Sequence, residues 1–99
     1  MNNKQLNIKQ KMSRIIESEA AAIGAIKITD AFEDAVKVLL ACNGRVVTTG
    51  IGKAGFIAHK FAATLASTGT PAFYIHPAEA GHGDMGMLTE GDCIIAFST

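Results

Sequence analysis

Apolar residues recur at helical spacing over two stretches in the first half of the chain. Between about residues 6 and 26 the opposite face is charged, which predicts an amphipathic helix whose apolar stripe covers a sheet or a second subunit. A second helix is predicted to open near Thr29 or Asp30 and to stop at Asn43-Gly44. The buried face of this second helix is predicted to contain Phe32, Val36, Leu39 and Leu40.

Short apolar runs predict three strands, Arg45 to Thr49, Ala72 to His76 and Cys93 to Ser98. A helix from about Ala54 to Ser67 is predicted between the first two, and residues 77–88 are predicted to form a loop with at most one helical turn. This alternation is typical of the α/β class, a parallel sheet between helices.

Three strands make a thin sheet, which leads us to expect a fragment of a larger domain. Residues 1–43 are then expected to be N-terminal helices that pack on the sheet or on a partner subunit, and residues 44–99 to be the first part of the domain that contains the sheet.

Composition narrows the class of protein. The chain has 99 residues, 48% of them hydrophobic, and a formal net charge of zero, which predicts one soluble globular domain without a nucleic-acid or membrane partner. The first dozen residues lack the apolar stretch of a signal peptide, so a cytoplasmic protein is expected. Cys42 and Cys93 have no metal-type spacing and are predicted to be reduced, buried, small hydrophobic residues.

The glycine-rich turn after the first strand is the first candidate site. Gly50, Gly52 and Gly55 allow a sharp turn that brings backbone amides close to a ligand, and a helix begins directly afterwards. A helix N-terminus attracts anions through its unpaired N–H groups, and Lys53 adds a full positive charge. The turn therefore predicts a site for a phosphate or for a phosphorylated sugar.

Two other interpretations of this turn stay open. Residues 50–55 match G-x-G-x-x-G, the dinucleotide-binding pattern, but that site needs an acid at the end of the second strand, and the first acid there is Glu79. A tight turn with a solvated lysine is the simplest interpretation. A Walker-type phosphate loop is excluded, since Lys53 comes too early and no serine or threonine follows it.

A second loop, residues 76–84, carries two histidines and two acids and begins at the same predicted sheet edge. His82 lies between glycines, either as a surface residue or as a group that approaches a substrate, with Asp84 near enough to bias its protonation. His76, Glu79 and His82 fit no standard zinc spacing, so a required metal is not expected.

Three segments in this order, GIGKAG, ASTGTPAFYIHPAEAGHGDMGML and DCIIAFS, resemble the SIS (sugar isomerase) domain of the arabinose 5-phosphate isomerases. The resemblance covers about Gly44 to Ser98. It implies a five-stranded parallel sheet in a flavodoxin-like order, a homo-oligomer that is a tetramer in the family, and often a pair of CBS modules downstream. It also implies interconversion of ribulose 5-phosphate and arabinose 5-phosphate for lipopolysaccharide or capsule synthesis, without a cofactor.

The resemblance also implies roles for individual residues. The catalytic pair is Lys53 and His82, and the carbon-proton base is a glutamate expected beyond Thr99, with Glu79 as a fallback. His76 matches a histidine that holds zinc in some relatives, where turnover does not require the metal. The residues implied to contact the substrate are Gly50, Gly52, Lys53, Gly69, Thr70, His82 and Ser98.

Aldose–ketose isomerisation through an enediol or enediolate needs a base and a group that stabilises the developing charge on oxygen. Lys53 supplies a cation and His82 a proton shuttle for this chemistry. Two other functions stay open at this point: a phosphosugar sensor without chemistry, as in SIS transcriptional regulators, and an inactive remnant.

Overall fold

A computed structural model describes the chain over residues 3–98, apart from the side chains of residues 3–6 and of Asp84. Within it the chain forms four α-helices, one short 3-10 helix and three strands. In chain order they are α1 (Asn3–Gly24), α2 (Asp30–Leu40), β1 (Val46–Thr49), α3 (Lys53–Ser67), β2 (Ala72–Tyr74), α4 (Pro77–Gly81), the 3-10 helix (Asp84–Met87) and β3 (Cys93–Ala96). The chain divides into two compact units, one up to residue 32 and one from residue 33.

Most of the described apolar side chains of the first two helices are exposed. Along α1, Ile15 is 58% exposed and Ile23 is 70% exposed. The prediction that α2 buries one face is wrong, because Val36 is 52% exposed, Leu40 is 81% exposed and no residue of this helix is buried. Periodicity identifies the face that a helix can bury, but it does not report whether anything covers that face.

The three strands form one parallel sheet in the order β2-β1-β3, which confirms the predicted α/β class and its flavodoxin-like strand order. Val46 at the start of β1 is in register with Ala72 on one side and with Cys93 on the other. The amino ends of all three strands therefore lie at one edge of the sheet, and their carboxyl ends lie at the opposite edge. We call these two sides, at the ends of the strands, the amino edge and the carboxyl edge; neither term refers to an outer strand.

Two predicted strands end earlier than expected. β2 stops at Tyr74 although Ile75 N still donates to Thr48 O at 2.9 Å, because His76 already acts as the N-cap residue of α4. β3 stops at Ala96, and Phe97 N donates to Thr49 O at 2.9 Å. The loop predicted over residues 77–88 contains α4 and the 3-10 helix, which is more helix than expected.

The core lies between β1 and one face of α3. Val46, Val47 and Thr48 are 2% exposed or less, and Gly55, Ala58 and Ala62 form the buried stripe of α3. These small residues let the helix backbone approach the sheet closely. As a result, the Thr48 hydroxyl reaches Ala58 O at 2.7 Å, which satisfies its hydrogen-bonding need inside the core.

Candidate functional site

The glycine-rich turn, residues 50–55, connects the carboxyl end of β1 to the start of α3. It is tightly packed: a Cβ on Gly55 would lie 2.7 Å from Gly50 O, and a Cβ on Gly50 would lie 3.0 Å from Phe97 O. At Gly55 a side chain would collide with a backbone oxygen, and at Gly50 it would require the neighbouring backbone to shift. The turn therefore holds a fixed shape that depends on glycine.

The first turn of α3 offers amide donors without acceptors. Gly52 is the N-cap residue, with a φ of 64° that favours glycine, and no side chain caps the helix. Gly55 N is the first amide to donate back into the turn, to Ile51 O at 3.3 Å. Over the described residues, the N–H groups of Lys53 and Ala54 have no acceptor, as is usual at an open helix N-terminus. An anion is the natural partner for them.

Cavities open beside this turn at the carboxyl edge. One of about 400 Å³ lies between the ends of β1 and β3 and is lined by Thr49, Gly50, Ile51, Ala54, Pro77, Ala96, Phe97 and Ser98. A neighbouring cavity of about 240 Å³ is lined by Lys53, Ala54, Ile57, Phe97 and Ser98. The larger volume suits a small ligand, and Lys53 and the start of α3 border the space.

The second loop starts at the same edge, as the sequence predicts. His76 shares a cavity of about 220 Å³ with Gly52, and Pro77 lines the cavity beside Gly50. The His76 Nδ1 atom accepts a hydrogen bond from Ala78 N at 3.0 Å and so caps α4. This nitrogen is therefore occupied by the fold, and metal binding through it would break the cap.

Metal binding at His76 has no support from its neighbours. No group of three or more His, Cys, Asp or Glu side chains converges among the described residues. The zinc role that the resemblance implies for His76 stays a prediction.

His82 is the C-cap residue of α4, and its backbone N donates to Glu79 O at 3.0 Å. Its imidazole and the Lys53 ammonium are both exposed, and neither forms a hydrogen bond or an ion pair with another described side chain. The predicted influence of Asp84 on His82 depends on a side chain outside the described residues. The catalytic roles of Lys53 and His82 stay predictions.

Gly69 and Thr70 lie away from these groups. They follow α3 and precede Pro71, whose carbonyl accepts from Val46 N at 2.9 Å, so they belong to the amino edge of the sheet. A four-residue strand such as β1 rises by roughly 10 Å, which separates them from the turn that carries Lys53. Within one copy of the chain, the described structure does not bring the two groups together.

Sequence reasoning missed Tyr74 as a support for the turn. Its hydroxyl donates to Gly50 O at 2.6 Å, and its ring lies against that of His59, with the centroids 3.7 Å apart. Tyr74 also lines the cavity that contains His59 and His76. The available signal was a single tyrosine in an apolar strand, since a hydroxyl in such a place needs a partner.

The sequence matches a known protein family. The sequence model of the SIS domain matches residues 39–99, more than half of the chain. The chain belongs to the SIS domain family. This confirms the predicted resemblance, and the match begins within α2, a few residues before β1.

Named relatives of this SIS chain are isomerases. It is 50% identical over 98 residues to arabinose 5-phosphate isomerase KdsD of Pseudomonas aeruginosa, covering 97% of this chain and 30% of that protein. It is 47% identical over 88 residues to arabinose 5-phosphate isomerase GutQ of Escherichia coli K12, covering 89% of this chain and 27% of that protein. The chain thus spans about a third or less of these curated relatives.

Two solved structures share the fold. A phosphosugar isomerase from Bacteroides fragilis, described as putative and as involved in capsule formation, has a TM-score of 0.89 at 40% identity, covering 93% of this chain and 50% of that one. An E. coli CFT073 protein in complex with arabinose 5-phosphate has a TM-score of 0.82 at 43% identity, covering all of this chain and 53% of that one. The SIS chain corresponds to about half of each solved chain.

Proposed function

We propose that this SIS chain binds a phosphorylated pentose at the carboxyl edge of its sheet and belongs to an arabinose 5-phosphate isomerase. The observation that carries the proposal is the open start of α3, where Lys53 and two amides without acceptors border two cavities. Residues of the glycine-rich turn and of the end of β3 line these cavities. The relatives' names and the sugar-phosphate complex of a 43% identical structure support the choice of sugar.

In this proposal the phosphate lies against the amides at the start of α3, where the partial positive charge of the helix and the Lys53 ammonium attract it. The same ammonium can instead stabilise the oxygen that gains charge as the enediolate forms. His82 moves a proton during ring opening or between the oxygens. The carbon-proton base is a carboxylate that the described cavities do not contain, since none of their lining residues is acidic.

Binding and turnover test different parts of the proposal. Calorimetry should detect arabinose 5-phosphate binding to the chain, and Lys53→Ala should weaken it by about 10- to 100-fold, as expected for loss of a charged hydrogen-bond partner. Lys60→Ala removes the same charge from the exposed surface of the same helix and is the matched control. Equal affinity in the Lys53 and Lys60 variants would refute the assignment of the anion site.

Turnover is measured by conversion of ribulose 5-phosphate, with the 99-residue chain and with any longer product of the gene. We expect His82→Ala and Lys53→Ala to abolish conversion while the circular dichroism spectrum keeps its native shape. If both variants convert the sugar at the parent's rate, the catalytic roles are wrong.

A phosphosugar sensor is the second candidate. The absence of acidic side chains from the lining of the three described cavities favours it for these residues alone. The sensor would be supported if the 99-residue chain and any longer product of the gene bind arabinose 5-phosphate but do not convert ribulose 5-phosphate.

The setting of the protein is part of the same proposal. We place it in the cytoplasm as a homo-oligomer that supplies a precursor of lipopolysaccharide or capsule, without nucleic-acid partners. Over the described residues, no helix has the length and hydropathy needed to cross a bilayer.

A further inference from the structure

The amino edge of the sheet holds two cysteines side by side. Cys42 lies just after α2, and Cys93 is the first residue of β3, 51 positions later in the chain. The sequence predicts them as buried hydrophobic residues, but both are only half-buried, and both are free thiols. They are therefore accessible to small reagents.

Backbone contacts fix this proximity. The Cys42 Sγ atom lies 3.6 Å from Arg45 O and 3.3 Å from Gly91 O. Cys93 N donates to the same Arg45 O at 3.0 Å, so both cysteines meet at one carbonyl oxygen. The Cys93 Sγ atom lies 3.9 Å from Val38 O, a carbonyl of the helix that ends just before Cys42.

We propose that Cys42 and Cys93 form a redox-active dithiol that a small organic disulfide, such as oxidised glutathione, converts into an intramolecular disulfide. One thiol loses its proton, attacks the reagent and releases one equivalent of the reduced thiol, which leaves a mixed disulfide on the protein. The second thiol loses its proton and displaces the other half of the reagent as a second reduced thiol. The protein loses two electrons and two protons, and the reagent's S–S bond gains them.

The surroundings of Cys93 disfavour its thiolate. The side chain of Cys42 raises the pKa of the Cys93 thiol, and desolvation and the charge of Asp92 add to this effect. Because the thiolate is the nucleophile, this raised pKa slows attack by Cys93 on the reagent.

The bridge would join the end of α2 to the start of β3 and enclose β1, α3, β2, α4 and the 3-10 helix. It lies at the opposite end of β1 from the Lys53 turn, so it does not depend on the function proposed for that turn. The cross-link constrains the unfolded chain through a long loop and should raise the thermal midpoint of unfolding.

The test equilibrates the native chain with a series of reduced and oxidised glutathione ratios, followed by acid quenching and intact mass measurement. We expect a species lighter by two hydrogen atoms, and non-reducing peptide mapping should place the bond between Cys42 and Cys93. Its equilibrium constant should exceed that of the urea-unfolded chain by at least about tenfold, because folding supplies the proximity.

Single variants provide the control. Cys42→Ser and Cys93→Ser should each accumulate a glutathione adduct and never the lighter species, and circular dichroism verifies that they fold. Adducts on both thiols of the parent chain, disulfide-linked dimers in place of the lighter species, or an equal constant in urea would each overturn the proposal.

Discussion

The two edges of the sheet use polar side chains in opposite ways. At the amino edge, the Asp92 carboxylate is 3% exposed and accepts hydrogen bonds from Arg45 N at 2.7 Å and from Thr89 N at 2.8 Å. At the carboxyl edge, Lys53 and His82 are exposed and have no described side-chain partner. Both edges belong to the same sheet, only a few residues apart along each strand.

This difference separates stability from binding. Groups whose hydrogen bonds are satisfied within the fold stabilise it, and they have nothing left to offer a ligand. Groups left at an open helix start add little to stability, but they are available to an anion. Substitutions at the amino edge should therefore change unfolding, and substitutions at the carboxyl edge should change binding, except where the turn itself is distorted.

The largest effect is expected from Gly55→Ala, which should reduce both stability and binding although Gly55 lies at the carboxyl edge. The new Cβ would lie 2.7 Å from Gly50 O and 3.3 Å from the Tyr74 hydroxyl, so the turn must shift. We expect a loss of about 1–3 kcal/mol in the free energy of unfolding together with weaker sugar-phosphate binding. Urea unfolding and calorimetry measure the two effects.

The control for this substitution is Gly86→Ala, since a Cβ there meets no atom within 4 Å. It should change the free energy of unfolding by less than about 0.5 kcal/mol. If the two alanine variants behave alike, the packing described for the turn is wrong.

The next effect is Asp92→Asn, which tests the amino edge alone. Hydrogen bonds from the backbone N–H groups of Arg45 and Thr89 lower the pKa of Asp92 from 3.8 to about 2. Because the folded-state pKa lies below the unfolded one, the stabilisation is complete above the unfolded value and is lost as the pH falls through about 2. The variant should melt several degrees lower at neutral pH and lose less stability on acidification, as thermal scans between neutral and acid pH would show.

Sugar-phosphate binding tests whether the effect of Asp92→Asn is confined to the amino edge. The Asp92→Asn variant should bind arabinose 5-phosphate with the affinity of the parent chain at a temperature where both are folded. A marked loss of affinity would mean that the two edges are coupled.

A smaller effect is expected from Tyr74→Phe. The substitution removes the hydrogen bond to Gly50 O at 2.6 Å and keeps the ring that lies against His59. One hydrogen bond of this kind contributes about 1 kcal/mol to the free energy of unfolding. Urea unfolding should show this loss, whereas an unchanged midpoint would mean that the turn holds its shape without Tyr74.

The smallest effect is expected from Glu33→Gln, which sets a baseline for an exposed ion pair. Lys37 Nζ lies 3.5 Å from Glu33 Oε1, and both side chains are about two-thirds exposed. Such a pair contributes about 0.5 kcal/mol or less, and salt screens it. A loss as large as that of Asp92→Asn would contradict the special position given to Asp92.

Local sequence signals predicted most of the elements and the first candidate loop. The sequence predicts the strand at Val46 and Val47 and the small-residue helix after Lys53 because strand and helix periods differ. The sequence predicts the end of β2 too late, since the role of His76 as a helix cap depends on one side-chain hydrogen bond. The buried face of α2 was wrong because an apolar stripe does not reveal its partner.

The sequence by itself determined the α/β class, the parallel strands, the glycine-rich turn and the family to which the chain belongs, because periodicity and turn chemistry are local and are written in neighbouring residues. Only the tertiary structure decided that Tyr74 holds Gly50, that Gly69 and Thr70 lie at the other edge from Lys53, and that Cys42 meets Cys93. These relations join residues that are distant in the chain, and the register of a parallel sheet brings them together or keeps them apart.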